Sequence, residues 1–357
     1  MDGTKRKDTG SSWTRPVFFR RNRVFRVYLG GKLFHDFLGD AETDGNEPEE
    51  WICSNVRAIN PGHDDPLEGI SLRLEDGKPF DQLLREHPKE YLGDRKDLGV
   101  LVKYLDSAIR LPMQVHPTRE FSRKHFNSSY GKAEAWLILA TRPNACIYFG
   151  FDRKVRKEEF MAAVENSEND KDTMTAFVNR VPVHTGDVFF VDAGIIHAIG
   201  SGCMILEVQE PTDFTIQPEY WCGDYHLCSQ EMYLGLERET ALDCFNYDLY
   251  GQKVVECGRK KPTELYRDEH MLVESLIGEI DTPCFAMSRY TLNNGSVILN
   301  TPASVWICLE GEGVLCAENW CRPIRSGDYF FLPAAAAGKC SAASRSSLKI
   351  VCCVGGK

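Results

Sequence analysis

Gln114, His116, Glu134 and His197 are the residues whose types and spacing could do chemistry in this chain. Gln114 and His116 lie in Leu111–Pro117, LPMQVHP. In an extended strand alternate side chains share a face, so Gln114 and His116 point one way and Met113 and Val115 the other. Pro117 has no N–H to donate and ends the strand. Glu134 opens a second apolar run, and His197 sits in HTGDVFFVDAGIIHAIG at 184–200, beyond a Gly-Asp turn, a strand and a turn at Asp192-Ala193-Gly194. Two imidazoles and two oxygen donors on three strand-like pieces suit zinc or another divalent first-row metal, with a position left for water or substrate. A single His near a strand end is more often structural, and it is the grouping that raises this set. His184 precedes the turn and is expected to serve the wall rather than the metal.

The elements that must position these residues are strands and turns. Gly186, Asp192, Gly194 and His197 follow G-x5-(P or D)-x-G-x2-H, which resembles the second motif of the cupin barrels. His116 followed by Glu134 supplies the His strand and the Glu strand of the first motif. The wide gap between them, filled as QVHP and then GKAEAW, resembles mannose-6-phosphate isomerases of the short bacterial type. The resemblance extends to the Gly-Gly-x-x-Leu stretch at LGGKLF, to Glu49–Ser54 (EEWICS), to the apolar strand ending in LVKYLDSA, and to Glu207-x-Gln209. It implies a mainly β fold, a double cupin of two β-barrel or jelly-roll domains with short helical insertions. It also implies an aldose–ketose isomerase that interconverts mannose 6-phosphate and fructose 6-phosphate through an enediol, with one divalent metal, zinc first among the candidates, held by Gln114, His116, Glu134 and His197.

Moving a proton between adjacent carbons needs a group beside the carbon that loses it. Lys132 is two residues from Glu134 and on a strand faces the same side, so it is the first candidate for catalysis and for contact with the sugar. Glu207 and Asp213 are further acid/base candidates in E-x-Q-x-x-x-D. Gln217 stands where the family usually carries an Arg, and Pro112 where it carries a Ser. Gln keeps hydrogen bonding but lacks the charge and the fork of a guanidinium; Arg119, Lys124 and Lys132 are the candidates for supplying that charge. The alternatives are an isomerase of a different, unphosphorylated sugar, a sugar-binding cupin without turnover, and a non-haem iron dioxygenase, which the same His and Glu set also suits.

The 357 residues allow two or three domains. A formal charge of -10 argues against nucleic acid, whose binders are usually basic. The cluster RRNRVFR at 20–26 is expected to be one charged face of an early strand. There is no run of the 18 apolar residues that a membrane helix needs and no secretory signal behind Met1. The 14 cysteines form no C-x-x-C pair and sit mostly in apolar runs, so free thiols in a reducing cytoplasm are expected. The expected organisation is a mobile 1–12, a metal-bearing cupin domain over 13–224, a connector over 225–268 and a C-terminal cupin-like domain over 269–357. In that last domain Ser304 and Gly338 stand at the ligand places, so no metal is expected there. The partner is a small sugar or sugar phosphate, neither nucleic acid nor membrane; oligomeric state is left open.

Overall fold

The computed structural model describes residues 12–60 and 62–356. The expectation for 1–12 therefore falls, Ser12 apart, outside the described residues. Strands dominate and gather into two large antiparallel sheets with short helices between them.

The first large sheet runs in the order Arg23–Val24, Glu49–Ile52, Leu101–Ser107, Cys203–Gln209, Glu134–Thr141, Val188–Val191, Arg259–Lys260. Its central strands are buried on both faces, which explains why they read as unbroken apolar runs and not as simple alternation. Register sorts the two faces. Ala135 pairs with Val208, Val208 with Val102 and Val102 with Ile52, and this face packs against Val305, Ile307, Phe331 and Val351 of the C-terminal half. The alternate set is Trp136, Glu207, Lys103 and Trp51, again paired in sequence across the strands. That face looks into the first barrel, which a three-stranded sheet of Val178–Pro182, Cys146–Phe151 and His197–Ile199 helps to close. Trp136, Phe149, Phe189, Ile199 and Ile205 fill the space between the two sheets.

The second sheet runs Thr263–Arg267, Met271–Ile277, Phe285–Ile298, Ser341–Gly355, Ser304–Ala317, Trp320–Arg325, with Tyr329–Leu332 paired to Ser304–Ala317. The sequence reads as several short strands here. Three of these are long, at 14, 14 and 15 residues, and they bend instead of ending. The register shifts between Asn293 and Gly295, where Asn294 takes a positive φ of 47° that Asn tolerates. Trp306, Phe330, Leu315, Ile350 and Leu348 pack inside this second barrel. Val305–Leu309 and Tyr329–Leu332 are buried throughout, as their apolar composition requires.

The segment between the barrels is tied into both. Arg259–Lys260 pairs with Val188 and Phe189 of the first sheet, and Thr263–Arg267 forms the edge of the second. In the insert after Phe151, the helix Lys157–Asn166 buries Phe160 and Val164, and Met174 is buried on a following 3-10 turn. Val178–Pro182 then forms a strand paired with Cys146–Phe151. The expectation that all thiols are free is corrected at one place. Cys316 and Cys321 lie directly opposite each other across a hairpin, with Cα atoms 4.2 Å apart, and form a disulfide. The other cysteines are free and mostly buried. Among the described residues no helix is long and apolar enough to cross a membrane.

Trp306 is fully enclosed and its ring lies parallel to Phe330 at 6.4 Å between centroids. Replacing Trp306 by Ala leaves a cavity and should cost about 3–5 kcal/mol, read as a lower melting temperature in calorimetry.

Candidate metal centre and cleft

Backbone bonds bring the separate motifs together. Gln114 and His197 exchange both N–H···O bonds, at 2.8 and 2.9 Å, and Val115 does the same with Ile216. Gly194, with φ of 87°, turns the chain so that its N–H donates to the His116 carbonyl at 2.9 Å. Thr118 caps the helix Arg119–His125 by accepting from Phe121 N, which starts a helix directly after Pro117. Gly131 then passes against Pro117. A Cβ there would stand 2.5 Å from the Pro117 carbonyl oxygen, so only glycine lets Lys132 N bond that oxygen at 3.0 Å.

The result is a buried group of His116, Glu134 and His197, whose ligand atoms all lie within 4.8 Å of one another. His116 Nε2 is 3.0 Å from Glu134 Oε2, and His197 Nε2 is 3.3 Å from Glu134 Oε1. His116 Nδ1 faces the Phe214 carbonyl at 3.0 Å and His197 Nδ1 the Ile195 carbonyl at 2.8 Å. Those acceptors place the protons on Nδ1 and leave both Nε2 atoms as acceptors turned toward Glu134. Trp136 Nε1 donates to Glu134 Oε1 at 3.0 Å and fixes the carboxylate. Burial and the neighbouring Lys132 ammonium push His116 down to about 3, so it is a neutral ligand-type imidazole. His197 Nε2 and Glu134 Oε2 are buried without a hydrogen-bond partner. Orphaned acceptors aimed at a common point fit a divalent cation. Lys132 supports this: its Nζ lies 2.8 Å from His116 Nε2 and 3.3 Å from Glu134 Oε2, positive charge drawn to the same point.

Gln114, Lys132, Glu207, Asp213 and Gln217 all line one cleft, which Lys132 joins to this group. Glu207 is buried, and Lys103 Nζ is 3.2 Å from its Oε1 without making a hydrogen bond. Burial and the nearby Glu134 carboxylate push Glu207 up to about 8, against the pull of Lys103 and Lys132. Asp213 is differently placed, because Arg26 Nη2 takes both its oxygens at 3.0 and 3.1 Å and Ile59 N adds a bond of 2.8 Å. Gln217 Nε2 donates to the Glu231 carbonyl at 3.0 Å. His184 is not part of the wall, since its side chain is 84% exposed on a turn. Arg119 does not reach the cleft; it is paired with Glu210 at 2.6 Å. Lys124 is exposed on the same helix.

Three cleft residues were missed from sequence: Arg26, Glu49 and Lys103. Arg26 is not on an outer charged face, as RRNRVFR suggests, but reaches inward to Glu49 and Asp213. Glu49 receives Arg26, Tyr28 Oη and Trp51 Nε1, the last at 2.6 Å. Burial alone would raise its carboxyl, but Arg26 and Lys103 hold it well below the usual range. The signal for Lys103 was a lysine inside VLVKYL, since a buried charge implies a partner.

No known family profile matches the chain. The mannose-6-phosphate isomerase ManA of Bacillus subtilis is 31% identical over 326 residues, covering 90% of this chain and 93% of that protein. A probable mannose-6-phosphate isomerase, GmuF of the same organism, is 29% identical over 61% of this chain and 64% of its own length. Among solved structures, the mannose 6-phosphate isomerase from Bacillus subtilis superposes with a TM-score of 0.72 at 22% identity, covering 95% of this chain and 99% of that one. A zinc-bound mannose 6-phosphate isomerase does so with a TM-score of 0.70 at 15% identity, covering 96% of this chain and 100% of that one.

Two measurements test the site. Elemental analysis should find that His197→Ala loses bound divalent metal, while His184→Ala, on its exposed turn, keeps it. Glu207 gives a pH signature in the metal-free protein. Its folded value near 8 exceeds the ordinary 4.5, so between these the folded state holds a proton that the unfolded chain releases. Stability should fall as pH rises through that window and level off above it. Glu207→Gln should flatten this dependence in denaturant titrations; an unchanged slope would place the titration elsewhere.

Proposed function

The chain belongs to the mannose-6-phosphate isomerase family, and we propose that it interconverts mannose 6-phosphate and fructose 6-phosphate. The observation that carries this reading is the buried group of His116, Glu134 and His197 in contact with Lys132, which lines one cleft together with Glu207. A divalent cation, zinc in the first instance, would be held by His116, Glu134 and His197 with Gln114 beside them, and when bound it polarises the sugar carbonyl.

The remaining work falls to the chain's own side chains. Isomerisation removes a proton from the carbon bearing the hydroxyl and delivers one to the former carbonyl carbon, while a second proton passes between the two oxygens. Lys132 Nζ, at the ligand group and lining the cleft, is assigned to proton transfer at the reacting carbons. Glu207, whose carboxyl holds its proton near neutrality, is assigned to the oxygens, where it can give a proton and take it back. Asp213 and Glu49 are assigned to holding Arg26, since their oxygens already accept its N–H groups. Gln217 presents its amide to the sugar hydroxyls. Bulky apolar side chains such as Leu105, Leu111, Ile199 and Leu227 line the same cleft and exclude water. The buried thiols support a cytoplasmic enzyme, with Cys316–Cys321 the exception.

Zinc-loaded protein should convert mannose 6-phosphate to fructose 6-phosphate without oxygen, followed by NMR of the sugar. Chelation should stop conversion and added zinc restore it. Failure to convert any hexose phosphate under those conditions would overturn the reading. Lys132→Met should reduce turnover by at least about 100-fold, the low end for a general acid–base group, with metal content retained.

A further inference from the structure

Three cations line the cleft: Arg26, Lys103 and Lys132. Lys132 stands among the metal-capable atoms, and Lys103 bridges Glu207 at 3.2 Å and Glu49 at 3.5 Å. The side chains of both lysines are 4% exposed. Arg26 is the most open of the three, at 12%.

Its guanidinium is clamped. Nε donates to Glu49 Oε1 at 3.0 Å, and Nη2 to Glu49 Oε2 at 3.3 Å and to both oxygens of Asp213. The group also lies over the Trp51 ring, 5.4 Å from its centroid. Nη1 is different. It donates to the neutral amide oxygen of Asn60 at 2.9 Å, and among the described residues no carboxylate takes it. The guanidinium is thus held rigid from one side with one edge free of anionic partners. Its place is remote from the metal-capable group. The strands of Glu134, Glu207, Lys103 and Glu49 lie side by side, so Glu49 and the Arg26 it holds are three strand spacings from Glu134, roughly 14 Å across the sheet. The remaining polar lining at Asn60, Thr215, Gln217 and Gln230 is uncharged, and Glu231 is already engaged by Tyr225 Oη and Cys228 N.

We propose that the Nη1 edge of Arg26 receives the phosphate of the substrate, at the end of the cleft away from the metal ligands. This rests on reading the site as a phosphosugar isomerase. A guanidinium suits the task because its planar fork matches phosphate oxygens and its bonds to them are charge-assisted. A clamped guanidinium loses little freedom when the ligand arrives.

The test uses zinc-loaded full-length protein, with metal content and melting temperature as controls for folding. Arg26→Gln should raise KM for mannose 6-phosphate by roughly 10- to 100-fold, the loss expected for a charged hydrogen bond. Its kcat, and any turnover of unphosphorylated mannose, should change much less. Inorganic phosphate, titrated by calorimetry, should bind the wild type and lose that binding in Arg26→Gln. Arg26→Lys keeps the charge without the fork and should fall between. Equal losses on phosphorylated and free mannose, or phosphate binding unchanged in Arg26→Gln, would overturn the proposal. A wild type that binds phosphate through Arg26 yet converts no sugar phosphate would leave this subsite standing and overturn the isomerase reading instead.

Discussion

Glu134 is a carboxylate buried at 1% exposure between two imidazoles. A charge so enclosed is costly unless something positive stabilises it. Everything around it is arranged to meet that demand. The Nδ1 atoms of both histidines are turned toward backbone carbonyls, so neither ring offers Glu134 a proton from Nε2. Only one oxygen is satisfied by a neutral donor, the indole of Trp136. What remains is a concentration of lone pairs that draws Lys132 Nζ to 3.3 Å from Glu134 Oε2 and fits a divalent cation, and the sheet, the Gly194 turn and the Gly131 passage produce its geometry.

The second barrel carries the same local unit without a buried carboxylate. In Glu134-x-Trp136 the indole donates to the residue two before it. Ser304-x-Trp306 repeats the bond, Trp306 Nε1 to Ser304 Oγ at 2.7 Å, with a hydroxyl in place of the carboxylate. Ser304 in turn donates to the Thr301 carbonyl, so the local polar groups are satisfied internally. The barrel around it is packed with Phe330, Leu315, Ile350 and Leu348. Its outer face carries the other half of its work, burying Val305, Ile307 and Phe331 against the back of the metal-bearing sheet. Each such side chain contributes about 1.5–3 kcal/mol of burial. The site-bearing strands are therefore held from behind by the packing of the second barrel.

This division explains what could be read from the sequence. His116, Glu134 and His197 were legible because each lies within a short local pattern of glycines and apolar residues that dictates its direction. The barrel character was legible from strand length and turns. The long strands of the second barrel were not, because Asn294 looks like a turn residue and serves here as a bend inside Phe285–Ile298. Arg26 reads as a surface charge because Arg20, Arg21 and Arg23 nearby are charged too. Only the pairing of Glu49 beneath it and the approach of Asp213, from a segment 187 residues away, turn it inward.

Glu49 itself carried a signal that local patterning does hold. Glu49-x-Trp51 is a third instance of the same unit, with Trp51 Nε1 on Glu49 Oε2 at 2.6 Å. Glu134 and Glu49 are thus built alike but surrounded differently. Glu49 has Arg26, Tyr28 and Trp51 as donors and Lys103 nearby, and is held firmly ionised. Glu134 faces two rings without protons to give. Glu207 stands on the strand that, with that of Lys103, separates the two. Pressed by burial and the Glu134 charge, it retains its proton to about 8. A row of three carboxylates across one sheet face thus meets three surroundings: Glu49 among Arg26 and neutral donors, Glu134 beside Lys132 and two imidazoles, and Glu207 pressed by burial and the Glu134 charge. That gradient runs across the cleft, with Glu207 beside the metal-capable group and away from the Arg26 clamp.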